Sequence, residues 1–267
     1  MLTHPSLEQL QQLRLSGMLK ALQEQLQNPE YQALAFEERL GLLLDREVTE
    51  RENRRLQTLL RKAKLHQQGA ALEDLDHQAP RGLDRGLMTR LGSMQWTRER
   101  FNLLITGPTG TGKSWIACAM GNKACREGLS TRYFRLSRLL QALQLARADG
   151  TWSKLLRDLA RTDLLVLDDW GLAPLQDEHR RDLLEILDDR FNTRSTLVTS
   201  QLPIEHWHDY LGDPTLADAI LDRLVHNAYR IQLTGESMRK QRAQLPDDIG
   251  SNPCYGVTDR GTPDEQK

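Results

Sequence analysis

Residues 102–128 read NLLITGPTGTGKSWIACAMGNKACREG and divide into an apolar run, a glycine-rich octapeptide and a helix-forming stretch. The octapeptide, residues 107–114, is a complete GxxxxGK[ST] pattern, and an expected strand before it and an expected helix after it are the setting that pattern requires. Gly107, Gly110 and Gly112, with Pro108, Thr109 and Thr111 between them, let backbone N–H groups turn inward around phosphates, and the helix adds its positive N-terminal end. Lys113 reaches β- and γ-phosphate oxygens, and Ser114 ligates magnesium. Strand, phosphate loop and helix in this order imply an α/β fold.

Further along, LLVLDD at residues 164–169 has the pattern of a buried strand, expected beside the phosphate-loop strand. Asp168 at its end suits the magnesium shell. Asp169 takes the position at which P-loop ATPases commonly carry a glutamate that polarises the attacking water, and its shorter side chain draws the carboxylate back by about one methylene. The segment TLVTSQ places Gln201 at the end of another strand, where its amide can orient that water or begin a turn with Leu202 and Pro203. Residues 102–106, 131–135, 164–168, 196–200 and 230–233 are the five expected strands of a parallel sheet.

The chain has 267 residues, 39% hydrophobic and 27% charged, enough for a full core and a second small module. It contains no apolar run of the roughly 20 residues that a membrane span needs, and its start lacks a basic segment followed by an apolar one, so a cytoplasmic protein without membrane contact is expected. Three cysteines without a CxxC give no disulfide framework and no zinc pattern; Cys118 and Cys125 read as packed thiols. With 36 basic and 37 acidic residues, the net charge of -1 confines any nucleic-acid surface to a local patch.

Residues 1–75 read as a helical module, broken at Asn28-Pro29, with Phe36, Leu40, Leu43, Leu44 and Val48 on one face and Leu56, Leu59, Leu60 and Ala63 further on. The run Arg51, Arg54, Arg55, Arg61, Lys62 and Lys64 is either a solvated helix face or a phosphate-contacting one. Residues 76–100, with Pro80, Gly82 and Gly86, read as a linker, residues 101–245 as the ATPase domain, and residues 246–267 as a disordered tail. His206-Trp207-His208 reads as a surface turn, since an i, i+2 pair does not share one helix face. Trp96 is expected to seal the linker against the domain.

GPTGTGKS, LLVLDDWGLAPL, STLVTSQLPIEHWH, GDPTLADAILDRLVHNAYRI and GESMRK together resemble the IstB-type transposition helper ATPases, relatives of the DnaC-type helicase loaders within the AAA+ class. The resemblance covers residues 36–240. It implies an AAA+ core binding ATP and Mg2+, and a homo-oligomer that assembles on double-stranded DNA and assists a cognate transposase; the polar stretch after GESMRK leaves no room for the lid domain many AAA+ proteins carry, so no lid is expected. It makes Asp168 and Asp169 the Walker B acids and Gln201 the sensor-1 residue. It places Arg223 as an arginine finger acting on a neighbouring subunit's nucleotide, and Arg239 as a sensor-2-like arginine. By spacing alone Arg223 pairs with Asp222 or Asp218. The resemblance also directs attention to residues 136–161, where Arg138, Arg147, Lys154 and Arg157, near Trp152, are DNA-contact candidates or a solvated face. A replicative helicase loader, and an ATP-gated DNA scaffold with little intrinsic hydrolysis, remain open alternatives.

Overall fold

The computed structural model describes residues 5–238. Three helices come first: α1 (Pro5–Gln12), α2 (Ser16–Gln27) and α3 (Phe36–Ala63). The α2–α3 pair meets at Gly17, where an added Cβ would lie 2.6 Å from the backbone of Arg46 and Glu47. Glu47 turns inward and its carboxylate accepts the N–H groups of Gly17 at 2.7 Å and Met18 at 3.2 Å, and Arg51 Nε at 2.7 Å. It therefore caps a helix other than its own, as an anion at an N-terminus does. Burial pushes its pKa up, but the bonds from Arg51, Met18 and Gly17 together outweigh burial and hold it below the ordinary carboxylate value.

This changes the face expected for α3. Phe36, Leu44 and Val48 are exposed while Glu47 is buried. The helix is continuous for 28 residues and ends where Lys64 adopts a left-handed φ of 52°. Its first half packs on α2, its last turns pack on the sheet region through Leu56, Leu59, Leu60 and Ala63, and the charged stretch Arg51 to Arg55 spans the exposed interval between. A helix polar all round at its middle is the expected bridge between two packed bodies.

Residues 76–100, read from sequence as a linker, carry α4 (Arg85–Gly92) and α5 (Gln95–Arg98). Leu91, Met94 and Trp96 are buried among sheet residues, because the apolar positions of this stretch complete one face of the core. Trp96 donates to Leu91 O at 3.0 Å, which satisfies the one polar atom of its buried ring.

The sheet comprises β1 (Asn102–Thr106), β2 (Thr131–Arg135), β3 (Leu164–Trp170), β4 (Ser195–Ser200) and β5 (Ala228–Gln232), all parallel, in the order β2-β3-β4-β1-β5. The strand bearing Asp168 is therefore not the neighbour of β1, as its sequence distance suggested. β4 lies between them, because a later strand inserts into the sheet. Successive side chains of a strand point to opposite faces. Leu103 and Ile105 join the layer of α6 (Lys113–Arg126) and α3, while Leu104 joins the layer of α7 (Leu136–Ala148), α8 (Trp152–Arg161), α9 (Asp177–Arg190), α10 (Trp207–Leu211) and α11 (Pro214–Val225). Burial on both faces explains the apolar runs of β1, β3 and β4. Cys118 and Cys125 are packed in α6, and burial raises both thiol pKa values.

Trp207 is fully buried against Trp170 at 5.3 Å between ring centroids, so only the flanking histidines of His206-Trp207-His208 belong to the surface. Arg190, at the end of α9, is 1% exposed and donates to Leu159 O at 2.5 Å, Thr162 O at 2.7 Å, Thr196 Oγ1 at 3.1 Å and Ser195 O. Burial lowers its pKa to about 9. No helix among the described residues is long and apolar enough to cross a membrane.

Candidate functional site

All five strands end on one side of the molecule, and parallel α/β sheets build sites beyond those ends. After Thr106 the backbone turns through Gly107 (φ 145°) to Gly112 (φ 97°), conformations that favour glycine. A Cβ on Gly107 would overlap Leu233 O, and one on Gly112 would lie 2.7 Å from Arg81 Nη1. Gly112 is the N-cap of α6, so that helix begins at Lys113 and directs its first N–H groups at the loop. Lys113 is mostly buried, and its Nζ donates to Gly107 O and Pro108 O, both at 2.8 Å. The ammonium thus bridges the loop it belongs to, in the place where phosphate oxygens would compete for it.

Ser114 Oγ donates to Asp168 Oδ1 at 2.9 Å, and Thr199 Oγ1 donates to the same oxygen. Tyr133 OH donates to Asp168 Oδ2 at 2.5 Å. Three hydroxyls from α6, β4 and β2 thus fix a carboxylate that is 1% exposed. Burial, and then the bond to that carboxylate, raise the Tyr133 pKa far above its usual value, which keeps the phenol a donor. The oxygen pair of Ser114 and Asp168 is a hard donor set that fits Mg2+.

Asp169 has φ 63°, and the pairing of β3 with β4 shifts register between Leu167 and Trp170. That irregularity turns two consecutive carboxylates to one end of the sheet, where regular alternation would send them to opposite faces. The Asp169 N–H donates to Thr199 Oγ1 at 3.2 Å, and its carboxylate lies 3.6 Å from Arg135 Nε. Burial and then the Asp168 charge raise its pKa, and Arg135 and Lys113 offset part of the rise. Gln201 Oε1 accepts Thr109 Oγ1 at 2.5 Å, which ties the end of β4 to the phosphate loop.

Thr109, Gly110, Gly112, Lys113, Ser114, Asp169 and Gln201 border a cleft of about 410 Å3 that also takes in Gln67, Asp74, Asp76, Arg81, Trp115, Arg135 and Met238. Arg135 and Arg81 went unnoticed in the sequence. Arg135 stands at the C-terminal end of a parallel strand, a position that by itself marks a site residue; His66 Nε2 lies 3.1 Å from its Nη2. Arg81 carries no local signal, since its place depends on contacts with Thr111 and Thr234.

Arg223 is elsewhere. Its carbonyl accepts Asn102 Nδ2 at 2.9 Å, at the start of β1, so a strand of roughly 16 Å separates it from the phosphate loop. Its partner is Asp188, at 2.6 Å, and neither Asp222 nor Asp218. Arg100, Arg190 and Arg194 line the same shallow depression. Of the residues on α7 and α8, Arg138, Lys154 and Arg157 are exposed. Arg147 is bound to Asp182 and to Glu178 at 3.2 Å, and lies 3.5 Å from the centre of the Trp152 ring. Both helices lie on the sheet, holding Leu139, Leu143 and Leu159 in its second core layer. Arg239 and residues 246–267 lie outside the described residues.

The sequence matches the family described as IstB-like ATP binding protein over residues 8–245. A Sinorhizobium fredii protein named as an insertion sequence ATP-binding protein is 52% identical over 242 residues, 91% of this chain and 98% of that protein. The protein so named for IS1162 of Pseudomonas fluorescens is 53% identical over 203 residues, 76% of this chain and 88% of that one. Among solved structures, the DnaC helicase loader superposes with a TM-score of 0.52 at 22% identity, covering 61% of this chain and 96% of that one. DnaI superposes with a TM-score of 0.52 at 21% identity, covering 67% and 94%. These two likenesses show a shared fold over roughly two thirds of the chain. The chain belongs to the IstB-like ATP-binding protein family.

Proposed function

We propose that this protein is an ATP-dependent DNA-binding AAA+ ATPase that assembles on target DNA and assists a partner transposase in insertion-sequence transposition. The observation that carries the reading is the convergence, at the mouth of one glycine-rich loop, of the Lys113 ammonium and the Ser114–Asp168 oxygen pair 2.9 Å apart. The loop amides and Lys113 hold the phosphate chain. Ser114 and Asp168 hold Mg2+, which when bound neutralises charge on the β- and γ-phosphates. Asp169, its pKa raised, accepts a proton from water more readily than an ordinary aspartate, and Arg135 restrains it from drifting out of the cleft. Gln201 orients the water or holds Thr109 against the phosphates. Arg223 of one copy stabilises charge on the nucleotide of the next.

Residues 1–75 form the platform on which the transposase or DNA docks. Arg138, Lys154 and Arg157 supply phosphate contacts. The names of the Sinorhizobium and Pseudomonas relatives support the insertion-sequence assignment. Sedimentation with labelled duplex DNA in ATP, in ADP and without nucleotide tests it. Large DNA-bound assemblies are expected in ATP alone and not for Lys113→Ala, and monomers that ignore DNA in every state contradict it.

A further inference from the structure

We propose that the strap of chain after β5, residues 233–238, sets the phosphate loop for its ligand, with Met238 as a positioning residue that acts through its backbone N–H. The proposal rests on the ATP-binding reading above and adds a positioning element to it. Leu233 is 1% exposed and donates its N–H to Thr106 O at 2.7 Å, and a Cβ on Gly107 would overlap its carbonyl oxygen. Further along the strap, a Cβ on Gly110 would overlap Ser237 Oγ, and the Met238 N–H donates to Gly110 O at 2.9 Å. Between these two contacts the Thr234 N–H donates to Arg81 O at 3.0 Å, and a Cβ on Gly235 would come 2.6 Å from Pro80 O. The strap is therefore backed by residues 80–81 while it touches the loop at Gly107 and Gly110.

Two glycines of the loop thus leave room for the strap as well as for the turn. Gly110 also creates a need for it. The carbonyl of Gly110 and the N–H of Thr111 belong to one peptide unit, and in a trans peptide they point in opposite directions. A glycine on one side lets that unit rotate at little steric cost, so the loop's own sequence does not fix which way the N–H points. Met238 holds the carbonyl and so turns the Thr111 N–H away from the strap, to the side on which the loop receives phosphate. An N–H oriented before the ligand arrives binds an anion without reorganising. Met238 also borders the cleft, so the strap ends at the ligand's edge.

The test separates the backbone bond from the side chain and from the neighbouring cation. Mant-ATP is titrated with Mg2+ into wild type, Met238→Pro, Met238→Ala and Gly235→Ala, inorganic tripolyphosphate is used to displace it, and the melting temperature of each protein without nucleotide is recorded. Pro removes the N–H and Ala keeps it, whereas Gly235→Ala pushes the strap off Pro80 at a point remote from the cleft. Met238→Pro should weaken both probes by about tenfold or more, because a charge-assisted bond to phosphate is misdirected, and Met238→Ala should retain most of the affinity for tripolyphosphate. Gly235→Ala should shift both probes in the same direction as Pro, and it decides the matter if the Pro variant does not fold. Tripolyphosphate affinity within about twofold of wild type in the deciding variant overturns the proposal, even if its melting temperature falls. So does an equal loss in Met238→Ala, which would assign the effect to the side chain. Met238→Pro is repeated in an Arg239→Ala background, and a loss that disappears there ran through the Arg239 side chain and overturns the proposal as well. Wild type that binds neither probe refutes the ATP reading, and the role of the strap with it.

Discussion

The two ends of the sheet are built differently. At the C-terminal end, Ser114, Thr199 and Tyr133 all donate to a buried Asp168, Lys113 is bonded to the phosphate-loop carbonyls, and Lys113 and Ser114 border one cleft. At the N-terminal end, Arg223 is half-buried, Asp188 holding it is exposed, and Arg100 and Arg194 stand nearby. A prearranged network holds a ligand without reorganising, whereas an exposed ion pair contributes only about 0–1 kcal/mol and parts readily. One end is suited to holding a nucleotide within a single chain. The other holds a cation away from the cleft of its own chain, as the proposed role of Arg223 on another copy's nucleotide requires.

Four substitutions set the two ends apart. Arg223→Ala should lower ATP turnover by about 10³-fold or more, as loss of an arginine finger does, with nucleotide affinity unchanged. An equal loss of affinity would put Arg223 into its own chain's cleft. Lys113→Ala should weaken mant-ATP binding by about a hundredfold, read by fluorescence titration, since it removes a charge-assisted contact to phosphate. Arg190→Ala, in the same depression as Arg223, should unfold the core instead of silencing it. It removes the Arg190 donor from Leu159 O, which keeps the Thr162 N–H, and from Thr162 O and Ser195 O, at about 1–3 kcal/mol for each carbonyl left unpaired, measurable by urea denaturation. The smallest effect concerns pH. Arg135 lowers the raised pKa of Asp169, so Arg135→Ala should move the acid limb of the turnover profile to higher pH, because protonation of Asp169 then sets in earlier on acidification. An unmoved limb would detach Asp169 from proton transfer.

What was legible in the sequence follows the range of the interactions. The phosphate loop lies between β1 and α6, and its glycines and lysine act within a few residues of one another, so the motif alone locates it. The central strands β1, β3 and β4 were visible because burial on both faces leaves apolar runs, whereas the edge strands β2 and β5 are only partly buried. Strand order was not, since the place of β4 between β1 and β3 depends on partners dozens of residues apart. The α3 face was misjudged for a similar reason: Glu47 is buried because the amides of Gly17 and Met18, 30 and 29 residues away, need an acceptor. Arg81 belongs to the same class, whereas Arg135 could have been found from its position at a strand end.

The central claim is that one chain holds the nucleotide and two chains turn it over. Mixing Arg223→Ala with Lys113→Ala tests it most directly, in the presence of duplex DNA. The first variant keeps a complete phosphate loop, and the second keeps the arginine. Each alone should be nearly inactive, and the mixture should recover a substantial part of wild-type ATP hydrolysis, rising with total protein concentration. A mixture no more active than its components, or an Arg223→Ala protein that turns over normally by itself, would contradict the account.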